Sequence, residues 1–223
     1  MTNAVLDFRP SRHGLHFANG FPPGPTVKLG LLDIRWFGVG DAAAGLCGGM
    51  SFVVRDLFEA HVDPPPATQP PANGSPRFRA LVRRQIESLD WLRVPLRFYD
   101  LGAFRPFGRR RSAADVTLAD EWPKIRTEID AGRLAIVGLI RAESANPFKL
   151  SADHQVVAYG YRAEPESIAL QLYDPNWPDR DDVEARLFLA EGQRPRLESS
   201  TGEPLLGFFL NPYRFAEPRA WRR

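Results

Sequence analysis

The chain changes texture past its midpoint, and that change restricts its fold more than any other feature. Beyond Gly132, "RLAIVGLIRA", "HQVVAYGYRA", "SIALQLYDPN", "VEARLFLA" and "EPLLGFFLNP" are short β-branched or aromatic runs separated by turn residues, the pattern of paired strands. Before it, apolar residues recur at helical spacing. In "CGGMSFVVRDLFEA", Met50, Val53, Val54, Leu57 and Phe58 share one helical face. "SPRFRALVRRQIESLDWL" opens on Ser75 as N-cap with Pro76 in the first turn, and carries Phe78, Leu81, Val82, Ile86 and Leu89. "TLADEWPKIRTEIDAG" sets Trp122, Ile125 and Ile129 on one face and stops at Gly132. Helices followed by strands predict an α+β fold, with the N-terminal helices packed on a mostly antiparallel C-terminal sheet.

The connections follow from their breakers. Residues 61 to 76 hold six prolines and a glycine, which forbid regular structure and leave an extended loop. "DLGAFRPFGRRRSAAD" reads as a loop with a basic run, and the Gly-, Pro- and Asn-rich residues 1–35 as an arm. "LGLLDIRWFGVGD" adds a short strand. The expectation is one domain over residues 1–223.

Composition narrows the function classes. With 29 Lys and Arg against 27 Asp and Glu, the chain lacks the field of a nucleic-acid binder. A single cysteine excludes a disulfide framework and a cysteine-rich zinc site, so neither metal nor cofactor is expected. No apolar run approaches bilayer length, and the N-terminus lacks the basic and apolar regions of a signal peptide. Those absences predict no membrane partner and a cytoplasmic location. "RRR" at 109–111 and "DRDD" at 179–182 read as solvated loop chemistry.

The one cysteine, Cys47, stands at the mouth of the first strong helix in "GLCGGM". A helix N-terminus favours a thiolate, and Gly45, Gly48 and Gly49 leave bare backbone through which a carbonyl substrate can approach. A buried apolar filler is the alternative use of a lone cysteine. Of four histidines, only His154 opens a strong strand, "HQVVAYGY", and it is the natural general base. A hairpin returning through "IALQLYDPN" brings Asp174 beside His154 as the group that orients the imidazole, with Asn176 close enough to compete. Trp177, just after that turn, is placed to shield the pair from water.

A helix-opening Cys, then a strand-opening His in "DHQVVAYGY", then an Asp on the return strand in "LYDPN", resembles the papain-like cysteine peptidase superfamily. The two strand motifs look like its bacteriocin-leader-peptidase branch. The resemblance implies a papain-like fold, a peptide or amide substrate, Cys47 as nucleophile, His154 as general base and acid, and Asp174 as orienting carboxylate. The family carries an oxyanion Gln six positions before its Cys. Here that position holds Asp41, which when ionised donates no hydrogen bond. Three accounts stand open: Asn19 or Gln155 supplies the donor, backbone N–H groups around Cys47 suffice, or ordinary proteolysis has been given up. Beside the peptidase reading stand an acyl or amide transferase on the same triad and a non-catalytic peptide-binding descendant.

Overall fold

The computed structural model describes residues 1–21, 28–29, 32–33, 45–90, 93–102, 111–141, 154–189 and 192–222. Its core is an antiparallel sheet of β4 (Ala135–Ile140), β5 (His154–Glu164), β6 (Ser167–Tyr173), β7 (Glu184–Phe188), β8 (Arg196–Ser199) and β9 (Gly207–Leu210), in the order β8-β7-β6-β5-β4-β9. β5 is long enough to serve two partners on one edge. Its first half pairs with β4, and its second half pairs with β1 (Thr2–Ala4). The first residues of the predicted arm therefore complete the sheet. A separate small pair joins β2 (Lys28–Leu29) and β3 (Leu32–Asp33).

Helices α1 (Pro10–His13), α2 (Cys47–Glu59), α3 (Pro76–Glu87), α4 (Arg93–Gly102), α5 (Ala113–Val116) and α6 (Trp122–Asp130) supply the rest. α2 is the central one. The sequence predicts one apolar face, but every residue from Gly48 to Leu57 is buried, Arg55 and Asp56 included. A helix buried on all sides is a core element, and its two charges are tolerated because each is paired. Arg55 reaches Glu59 at 2.7 Å and Asp56 reaches Arg84 at 2.8 Å. α3 starts as its caps predict, with Ser75 Oγ accepting from the Phe78 N–H at 3.2 Å.

Two corrections follow. α4 runs into the predicted loop "DLGAFRPFGRRRSAAD", taking its first three residues and burying Val94, Phe98 and Leu101 at helical spacing. The same predicted loop is helical at its other end, where a capping box between Ser112 and Asp115 starts α5, and the predicted helix over "TLADEWPKIRTEIDAG" opens with a π-helical turn over 117–121 before α6. "DRDD" is exposed at Asp179, Asp181 and Asp182, as expected, and it also bonds to the arm: Asp181 accepts from the N–H and Oγ of Ser11, and Asp179 binds His16 Nδ1 at 2.5 Å. Two of those acids fasten the N-terminal arm to the sheet. No helix among the described residues is long and apolar enough to cross a membrane.

Candidate active site

The first turn of α2 lies over the start of β5, held there by Ser51 Oγ donating to the Gln155 carbonyl at 3.0 Å. That contact places Cys47, the first residue of α2, beside His154, the first residue of β5. The β5–β6 pairing then brings in the carboxylate. The last registered pair is Val157 with Tyr173, so continuing the register sets Asp174 opposite Val156. Val156 shares a face with His154, and diagonal neighbours on one face are within side-chain reach. His154 Nε2 indeed lies 2.6 Å from Asp174 Oδ1.

A carboxylate at Nε2 fixes that nitrogen as the one carrying hydrogen. The other ring nitrogen, Nδ1, is left free of that bond, and the imidazole and the Cys47 thiol are close enough to shift each other's titration. His154 and Asp174 are buried, at 4% and 2% exposure, whereas Cys47 is only partly covered.

The electrostatics follow from this stacking. Burial works against the Cys47 thiolate, but the His154 charge, its hydrogen bond and the Gln155 N–H outweigh burial and the opposing Asp174, so the thiol is held below its ordinary value. Burial also opposes the imidazolium, yet Asp174 and Cys47 raise His154 to about 9. Asp174 is pushed up by burial and down by more, through His154, the Asn176 N–H and Arg141, and ends below the usual carboxylate range. Together these directions favour the thiolate–imidazolium form of the pair over the neutral one.

The residues weighed as supporting groups take different places. Asn19 bridges the two halves of the site. Its Oδ1 accepts from the Leu46 N–H at 2.6 Å, its Nδ2 donates to Asn176 Oδ1 at 3.2 Å, and its own N–H donates to the Pro175 carbonyl at 2.9 Å. Asn176 in turn donates its N–H to Asp174 Oδ1 at 2.8 Å. Gln155 is buried and committed elsewhere: its Oε1 accepts from Asn211 at 2.7 Å and its Nε2 faces Ser88 Oγ at 3.4 Å. Asp41 lies outside the described residues. Trp177 is about a third exposed, with Arg180 over its ring, and caps the turn by donating its N–H to the Asp174 carbonyl.

The glycines around Cys47 serve packing, where the sequence suggests substrate access. A Cβ on Gly49 would overlap the Leu81 carbonyl, and one on Gly48 would overlap Ser88 Oγ. They let α3 and the loop after it approach the first turn of α2. Gly45 has φ +93° and lies against Asn19, whose Nδ2 a Cβ would meet at 2.6 Å, so the turn into α2 needs glycine on both counts.

Sequence reasoning missed Arg141. It follows the end of β4, two residues past Leu139, which pairs with His154. Its Nη2 stands 3.4 Å from Asp174 Oδ2 and 2.7 Å from Glu203 Oε2. The only sequence signal was its place at a strand end on the edge that carries the histidine.

Comparison of the chain with protein-family models, curated proteins and solved structures gives no match.

Proposed function

We propose that the protein is a thiol hydrolase of papain-like type, a cysteine peptidase acting on a peptide or amide bond through Cys47, His154 and Asp174. The observation that carries this reading is a buried imidazole bonded to a buried carboxylate at 2.6 Å, with the Cys47 thiol at a helix N-terminus close enough for the two to shift each other's titration. A thiol used as core filler needs no such partners. The order of elements, a Cys-bearing helix packed on a sheet whose neighbouring strands carry His and Asp, supports the papain-like assignment.

The reaction follows from the geometry. The Cys47 thiolate attacks the carbonyl carbon, a carbon–sulfur bond forms, and the carbonyl π pair moves onto oxygen. When the oxyanion collapses, the carbon–nitrogen bond breaks and the amine leaves with the His154 proton. Water then attacks the thioester, gives a proton to His154, and releases the acid and the thiolate. Asp174 holds the ring throughout and stabilises its charge.

The oxyanion needs donors aimed at it. Among the described residues, none accepts from the Cys47 backbone N–H, which leaves that donor open to substrate. Asn19 is the second: its Nδ2 carries two hydrogens, and Asn176 takes one. Gln155 is spent beneath α2 on Asn211 and Ser88.

Acylation by p-nitrophenyl acetate tests the assignment without a known substrate. We expect a burst of nitrophenol and an acetyl group on Cys47 by mass spectrometry, both lost in Cys47→Ser and His154→Ala. An unacylated Cys47, or equal acylation in His154→Ala, overturns the reading. Partition of the acyl group between water and an added amine separates hydrolase from transferase.

A further inference from the structure

A cavity of about 470 Å³ lies between α2, α3 and the C-terminal segment. Val53 and Asp56 line it from α2. They stand six and nine residues after Cys47, which at roughly 100° per residue sets both across the helix from the thiol. The volume falls within the range of about 300–1,000 Å³ usual for small-molecule sites.

Its charge is one-sided. Of the two acids in its wall, Asp56 is spent on Arg84 at 2.8 Å, Tyr213 Oη at 2.7 Å and the Ala216 N–H at 3.1 Å. Glu217 is held by Arg222 at 2.5 Å. Three further guanidinium groups line the cavity with little compensation. Arg79 donates to the Gly74 carbonyl, which carries no charge. Arg83 reaches Glu87 only at 3.8 Å, and Glu87 also holds Arg84. Arg219 has no acidic partner among the described residues.

The wall is also partly apolar. Trp221, 2% exposed, lines the same cavity. Val53, Pro76 and Ala80 add apolar wall beside it.

We propose that this cavity binds a small organic anion, a carboxylate or phosphate monoester on an apolar body, with Arg79, Arg83 and Arg219 as counter-charges. Guanidinium groups match both anions through paired N–H bonds. The site is separate from Cys47 and stands whether or not the thiol is catalytic.

Calorimetric titration of the full chain with phenyl phosphate and with benzoate, and with benzyl alcohol as the uncharged control, tests it. We expect saturable binding of at least one anion, weakened by salt, with no binding of the alcohol. Stronger phenyl phosphate binding identifies a phosphate ligand, and stronger benzoate binding a carboxylate. Arg79→Gln with Arg219→Gln, both at exposed positions, weakens the affinity about tenfold or more, while Cys47→Ala binds as the wild type does. No saturable binding of either anion, unchanged affinity in the double variant, or loss in Cys47→Ala overturns the proposal.

Discussion

The carboxamide of Asn19 donates to Oδ1 of Asn176 at 3.2 Å while accepting from the Leu46 N–H at 2.6 Å. One residue of the N-terminal arm thus holds the loop before Cys47 to the turn that carries Asp174. The carboxamide orientation is set by its partners, since only an oxygen can accept from the Leu46 N–H.

If Asn19 also donates to an oxyanion, its loss separates two reactions of the same thiol. Acylation by p-nitrophenyl acetate builds negative charge on a carbonyl oxygen, and alkylation by iodoacetamide does not. Asn19→Ala is expected to slow acylation by about a hundredfold and to change alkylation less than about twofold. Equal slowing of both makes Asn19 a bracket only, and no change in either removes it from the site.

Arg141 shares its guanidinium between Asp174 and Glu203, and it helps hold the Asp174 carboxyl low. Arg141→Gln raises that carboxyl, so Asp174 takes up a proton at higher pH and His154 loses its counter-charge there. The acid limb of the acylation profile moves up by as much as about one unit, and Arg141→Lys restores most of it. An unmoved limb leaves Arg141 with no part in tuning the pair.

Gly49→Ala sets a methyl group against the Leu81 carbonyl. Separating α2 from α3 costs about 1–3 kcal/mol, read in thermal melting as a Tm lower by several degrees. An unchanged Tm contradicts the packing role and returns that glycine to substrate access.

His154 links the site to stability. Its folded value of about 9 stands above the ordinary 6.5. The imidazolium therefore stabilises the fold in full below about pH 6.5, and the contribution is lost as pH rises through about 9. In urea unfolding, the advantage of the wild type over His154→Gln is expected to shrink across that window. An advantage that stays constant or grows contradicts the raised value.

The His154–Asp174 half of the site was legible because it is local: one hairpin suffices to bring Asp174 to His154, as Ser75 and Pro76 announce α3. The place of Cys47, 107 residues before His154, was suggested by its helix mouth and by the family resemblance. What escaped depends on contacts distant in the chain. Arg141 and Glu203 meet 62 residues apart, and no periodicity signals that. The reason for Gly48 and Gly49 is the close passage of Leu81 and Ser88, which only the packed fold displays. α4 carried a helical pattern in Val94, Phe98 and Leu101, masked by Pro95, which the first turn of a helix accommodates. β1 and β8 are strands of three and four residues, too short to show alternation.

The most direct test is the pH dependence of Cys47 alkylation by iodoacetamide in the wild type and in His154→Ala. A thiolate–imidazolium pair predicts that the wild-type thiol titrates well below the unperturbed ~8.5 and that His154→Ala returns it toward that value. Coincident profiles, both titrating as a free thiol or both inert, contradict the pairing of Cys47 with His154 and with it the proposed chemistry.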